Sequence, residues 1–196
     1  MVTPLDRAFF DRPVREVAPD LLGCTLLRDG VGGVIVEVER YEERDAASHS
    51  HRGPVGRAEV MFREPGRVYV YRSYGVHWCA NLVCDAVGTG AAVLLRALRP
   101  TAGLEAMRER RGARPDRQLC AGPGRLAEAL GIDGTLDGGW AVPAPDGPQD
   151  LVVLPRTEEV RVARGPRIGI TKDAHRPWRY ALEGSAWLSR PMAVAA

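Results

Sequence analysis

The chain has 196 residues, of which 45% are hydrophobic and 27% charged, with a net charge of +2 at pH 7. That length carries one compact domain with a real core, and that balance excludes a chain disordered over most of its length. No run of ~18 apolar residues occurs, which excludes a helical membrane span, and residues 1–13 mix acids and prolines where a secretory signal is basic and then apolar, so the expected compartment is the cytoplasm.

Residues 5–28 read as one or two helices leading into a first strand, with Pro19 suited to a first helical turn. Val31 to Tyr41 reads as a strand. Val34, Val36 and Val38 alternate onto one face, expected to meet the core, and Glu37, Glu39 and Tyr41 onto the other. Residues 42–66 are mostly loop around the polar cluster His49-Ser50-His51-Arg52-Gly53. Val68 to Tyr71 and Val76 to Val83 read as strands joined at Ser73-Tyr74-Gly75, a β-hairpin with glycine in its turn. Ala91 to Leu98 is a near-continuous apolar strand. Thr101 to Arg111 reads as a helix capped by Thr101, and Arg125 to Leu130 as a shorter one. Residues 133–150 are rich in Gly, Pro and Asp and are expected to form a surface loop. Val160 to Ile170 reads as a strand and Ala181 to Leu188 as a final short one. Strands without regular βα alternation, and no internal repeat or linker, predict an α+β fold on a largely antiparallel sheet, one domain over residues 1–196.

The charge is unevenly spread. Residues 61–128 and 161–180 are basic blocks, and 129–160 is acidic. Brought together, the basic blocks would make a phosphate-facing surface; apart, they are ordinary solvated faces. All basic residues but Lys172 are arginine. Arginine suits bidentate phosphate contact and cannot be an amine nucleophile, so Schiff-base chemistry is left to Lys172 or the N-terminal amine. Cys24, Cys79, Cys84 and Cys120 include no CxxC pair and read as buried reduced thiols, so neither a disulfide framework nor a metal site is expected. Nucleotide-loop, serine-hydrolase and zinc-protease motifs are absent.

Glu37 and Glu39 stand ~6–7 Å apart on one strand face. They cannot flank a scissile bond, so one general base with a supporting neighbour is the economical reading, beside the plain one of two half-exposed strand glutamates. Three of the five tyrosines crowd into Tyr69-Val70-Tyr71-Arg72-Ser73-Tyr74. Tyr69 and Tyr71 share a face. Tyr74 occupies the turn, where burial is poor and wedging or stacking is easy. His49 is either a hydrogen-bonding group of a site or an ordinary loop histidine.

Taken in order, several blocks resemble one family. They are Val36-Glu-Val-Glu-Arg-Tyr41 with Ala47-Ser-His-Ser50, Met61-Phe62, Pro65-Gly66, Tyr69 through Asn81, and Val93 through Leu98. Gly103 through Arg108, Leu119-Cys-Ala-Gly-Pro-Gly-Arg-Leu126, Gly165-Pro-Arg-Ile-Gly-Ile170 and Gly184 through Ser189 come after them. Over about residues 20–189 the sequence is similar to the alkyladenine (3-methyladenine) DNA glycosylases.

The resemblance implies a single mixed domain around a curved antiparallel sheet with a protruding hairpin. It implies a monomer acting without cofactor on double-stranded DNA containing damaged purines, in the bacterial cytoplasm at the nucleoid. By the same resemblance Glu39 is the general base that activates water against the sugar C1′. Tyr41, His49 and Tyr71 line the pocket around an extruded base, and Tyr74 wedges into the minor groove. Asn81 disfavours guanine, and Arg96 lies near the target phosphate and the catalytic glutamate. Met61, Cys79 and Leu94 fall beside these positions. Base flipping is what such chemistry needs, because a stacked base is out of reach. Aromatic faces favour an electron-poor alkylated purine, and with one lysine outside the matched active-site segment a lyase step is not expected. The chain departs from the family at Ala58, where asparagine is common, and at Gly124-Arg125, where a hydroxyl and a basic residue are usual. Two alternatives stand beside this reading: a damage-binding protein without chemistry, which would not need Glu39, and a small-molecule enzyme on the same fold, which would not need a turn tyrosine.

Overall fold

A computed structural model describes residues 2–112, 114–144 and 147–192. It is an α+β fold whose strands all pair antiparallel. In chain order the strands are β1 (Thr25–Arg28), β2 (Val31–Tyr41), β3 (Val68–Ser73), β4 (His77–Val83), β5 (Ala92–Ala102), β6 (Val152–Leu154), β7 (Val162–Gly165) and β8 (Arg179–Leu182). The main path runs β3-β4-β5-β2-β1-β6, and β8 joins β2 to β7. One edge of β2 is shared: its first half pairs with β1, and Glu37–Glu39 pair with β8. Both glutamates therefore sit where β5, β2 and β8 meet.

The helices are α1 (Arg7–Phe10), α2 (Val14–Asp20), α3 (Leu104–Arg111), α4 (Asp116–Leu119) and α5 (Pro123–Leu130). Val17 of α2, Met107 of α3 and Leu126 and Leu130 of α5 share one core with Ile35, Val38, Val70, Ala80, Leu82, Val93 and Leu95 from the sheet. Alternation then turns Tyr69, Tyr71, Cys79, Asn81 and Leu94 to the opposite face. Pro19 falls in the last turn of α2, not the first. Its missing amide costs the ladder one bond, and the helix closes beyond it with the Leu21 amide on the Val17 carbonyl at 3.0 Å.

The expected valine row on β2 is corrected. Register slips between Ile35 and Glu37 on β2, where Val36 is the extra residue, and again between Glu37 and Val38, where Arg96 is the extra residue on β5. Each slip is a β-bulge, which flips the faces of the residues beyond it. Ile35 and Val38 enter the core while Val34 and Val36 line a cavity outside it. Alternation keeps Glu37 with Glu39 and Arg96 with Leu94, all on one face. Gly32 and Gly33 allow neighbouring strands to close in: a Cβ there would lie 1.9 Å from the Leu26 carbonyl oxygen and 2.0 Å from that of Arg99.

Other boundaries shift for similar reasons. β5 runs through Pro100 and Thr101, so α3 begins at Leu104 and Thr101 is not its cap. The expected surface loop 133–150, whose residues 145 and 146 lie outside the described residues, buries Leu136, Trp140, Ala141 and Val142 in the core. The final strands are shorter than expected, and residues 49–52 and 56–62 form 3-10 turns within the predicted loop.

Candidate active site

A cavity of about 780 Å³ opens on the face opposite the main core. Tyr41, His49, Tyr71, Asn81, Arg96 and Tyr74 all line it. Met61, Cys79 and Leu94 join them. Glu39 does not reach its surface: the side chain is 0% exposed and lies directly behind Tyr41, Arg96 and Ile168.

The carboxylate is held from three directions. The Tyr41 hydroxyl donates to Oε2 at 2.8 Å, the Ile168 amide donates to Oε1 at 2.8 Å, and Arg96 Nη1 stands 3.2 Å from Oε1. Burial raises the Glu39 pKa, and Arg96, the Ile168 amide and Tyr41 offset that rise without cancelling it. Tyr41 itself is pushed far above the ordinary tyrosine range by burial and by the Glu39 charge, so it stays a donor. The Arg167 guanidinium packs 4.5 Å from the centre of its ring. Arg167 also forms a buried pair with Asp45, Nη2 to Oδ1 at 2.8 Å, which fixes the backbone that presents the Ile168 amide.

The aromatic wall is built on the β3–β4 hairpin. Tyr69 and Tyr71 stack at 5.5 Å, and His49 meets Tyr71 edge-on at 4.6 Å. His49 Nδ1 and the Tyr69 hydroxyl lie 2.7 Å apart. Burial, then Arg57, lowers the His49 pKa, so the ring is neutral at pH 7. Asn81 Nδ2 donates to the Tyr69 carbonyl at 3.0 Å, which fixes the amide across the strand pair. At the hairpin tip Tyr74 is 89% exposed. Tyr74 and Gly75 have φ of 49° and 68°, and the Val76 amide closes the turn on the Ser73 carbonyl at 3.0 Å. These are the angles of the primed turn that suits a two-stranded twist.

Sequence reasoning missed the Ile168 amide, which carries no side-chain signature, although it falls inside the matched block 165–170. It also missed most of the arginine rim: Arg57, Arg72, Arg114 and Arg125 line the mouth of the cavity. The first basic block supplies most of that rim. Much of the second is committed to carboxylates of the protein itself, Arg167 to Asp45 and Arg179 to Glu37 in buried pairs and Arg176 to Asp173 in a half-buried one. Lys172 is exposed and does not line the cavity, and Met1 lies outside the described residues. Among the described residues no helix is long and apolar enough to cross a membrane.

An aromatic cavity backed by a buried carboxylate and rimmed by arginine has the makings of a hydrolase site for a planar ligand on a polyanion, and the comparisons place the chain among DNA glycosylases. The family model described as "Methylpurine-DNA glycosylase (MPG)" matches residues 8–186. The chain belongs to the methylpurine-DNA glycosylase family. Among curated relatives, a protein of Nitrobacter winogradskyi named "Putative 3-methyladenine DNA glycosylase" is 57% identical over 192 residues, covering 98% of this chain and 90% of the relative. Proteins of the same name from Bradyrhizobium diazoefficiens and Rhodopseudomonas palustris are each 55% identical over 188 residues; each match covers 96% of this chain, and 92% and 91% of the relatives.

Proposed function

We propose that the chain excises damaged purines, 3-methyladenine first among them, from double-stranded DNA by one hydrolytic step. The base leaves the stack and enters the cavity, and Tyr74 fills the gap. Tyr41 and Tyr71 offer their faces to the base, which favours a ring that alkylation has made electron-poor. The neutral His49 adds no positive charge against a cationic lesion, and Asn81 borders the base edge as a filter against guanine. The N-glycosidic bond breaks with its electron pair leaving on the damaged base, the carboxylate charge of Glu39 faces the oxocarbenium-like centre as it develops, and Glu39 then takes a proton from the water that attacks C1′. Oε2 accepts only from Tyr41, which leaves it a lone pair for the water. Arg96 holds the carboxylate and faces the target phosphate. With no lysine in the cavity, the product is an intact abasic site. The chain acts as a monomer.

The observation that carries this reading is Glu39 held by Tyr41, Arg96 and the Ile168 amide behind the wall of an aromatic cavity next to an exposed hairpin tyrosine. The test is base release from methylated genomic DNA and from a duplex bearing one hypoxanthine, each with wild type and Glu39→Gln. Glu39→Gln keeps lesion binding while single-turnover release falls by roughly a thousandfold or more. Equal turnover in the variant overturns the assignment, as does borohydride trapping of a strand-cleaving intermediate for the monofunctional step. Lesion binding by wild type without release from either substrate favours a damage-binding protein instead.

A further inference from the structure

Glu37 is as deeply buried as Glu39, at 0% exposure, yet the chemistry proposed above does not use it. It accepts hydrogen bonds from Arg96 Nε at 2.8 Å, Arg179 Nε at 2.8 Å, the Ser189 amide at 2.6 Å and the Ser189 hydroxyl at 2.7 Å. No solvent screens it, and a carboxylate bonded this fully is not free to take a proton from water. Its partners reach further. Arg96 is shared, with Nη1 on Glu39 at 3.2 Å and Nη2 on the Ser189 hydroxyl at 3.3 Å. Arg179 also donates to the carbonyls of Arg190 and, at 3.3 Å, Pro191.

From this geometry we infer that Glu37 is a positioning residue which divides Arg96 between two carboxylates, and that the segment 189–191 sets the division. The inference rests on Glu39 being the general base. Arg96 gives Glu37 its short Nε bond and Glu39 a longer contact. Glu39 is thereby oriented without being fully neutralised, and a less neutralised carboxylate is a stronger base. Arg96 follows Leu94 onto the face of Glu37 and Glu39 by strand alternation, and the bulge leaves it without a direct partner on β2, lying between the two carboxylates. Arg179 and Ser189 carry the rest of the Glu37 charge, which leaves Arg96 able to reach Glu39.

Two variants move the pH profile of base release in opposite directions. Glu37→Gln deletes the competing charge, so Arg96 closes on Glu39. Release then falls about tenfold or more, and its acid limb moves to lower pH. Ser189→Ala removes the 2.7 Å donor to Glu37 together with the longer, 3.3 Å acceptor of Arg96 Nη2, so the under-satisfied Glu37 draws the guanidinium harder onto itself. Glu39 is then less neutralised, and the acid limb moves to higher pH with lesion binding unchanged. The other groups facing Glu39 are untouched in both: Arg167 and the Ile168 amide from the segment after β7, Tyr41 on β2, and Tyr71 and Cys79 from the hairpin. A purely structural Glu37 would lower the folded fraction and leave the limb in place, and that outcome overturns the inference. If Glu37→Gln does not fold, Ser189→Ala decides alone: a wild-type limb there refutes the sharing. Full activity of Glu39→Gln refutes the general-base reading itself, whereas silent Glu37 and Ser189 variants beside a dead Glu39→Gln refute this inference alone.

Discussion

Two glutamates two residues apart titrate in opposite directions, and their donors decide which. Burial pushes both upward. On Glu37 the two arginines and Ser189 outweigh it and hold the pKa below the ordinary 4.5. On Glu39 burial wins and the pKa rises above that value. A base must be ionised to act, so activity is lost as pH falls through the raised Glu39 value. The acid limb of single-turnover release is therefore expected above 4.5, at a pH where circular dichroism still reports a folded protein. Glu37 acts with the reverse sign: it contributes stability above pH 4.5 that disappears as pH falls through its depressed value. A limb at or below 4.5, coincident with acid unfolding, would assign the loss to the fold rather than to the base. At this scale the sequence was informative about which side chains gather. The family blocks pointed to Glu39, Tyr41, His49, Tyr71 and Asn81, which the fold collects in and just behind one cavity, and strand spacing put Glu37 beside Glu39. The Ile168 amide and the fourfold satisfaction of Glu37 were not legible, because the first is backbone and the second depends on residues 59 to 152 positions away.

The β3–β4 hairpin is the element whose sequence and geometry agree most closely. Alternation placed Tyr69 and Tyr71 on one face and Tyr74 in the turn, and the structure has all three there. Positive φ on a bulky residue costs about 1 kcal/mol against a residue that tolerates the left-handed region. Tyr74 is also almost fully exposed, so packing returns little of that cost. Tyr74→Asn is therefore expected to raise stability in urea by about 0.5–1 kcal/mol. Release from duplex is expected to fall by roughly tenfold or more, and release from a free damaged nucleoside to survive. Destabilisation by Tyr74→Asn would mean that the ring packs in solution, and undiminished duplex activity would remove the wedge. The bulges on β2 and β5 were the illegible part of the sheet. The sequence Val34 to Val38 alternates without interruption, and a slip of register is set by the partner strand rather than by local pattern.

Across the whole molecule, the arginines divide into those that build the fold and those that face outward. Composition alone could not separate the two, since both basic blocks read alike until their partners were known. Arg96, Arg167 and Arg179 are buried against carboxylates. Arg111, though it lines the cavity, pairs with Glu128. Arg57, Arg72, Arg114 and Arg125 are left at the mouth. Because the net charge is only +2, long-range attraction to DNA is expected to be weak and affinity to rest on local contacts of these arginines. Four neutralised phosphates would give a log–log salt slope between about −3 and −4 for binding to undamaged duplex. Arg125→Ala is expected to make that slope less steep by about 1, and to weaken damaged and undamaged duplex alike, because a phosphate contact carries no information about the base. Fluorescence anisotropy across a salt series measures both quantities. A slope near zero would move the DNA away from the arginine rim, and a loss confined to damaged duplex would give Arg125 a place in base recognition instead.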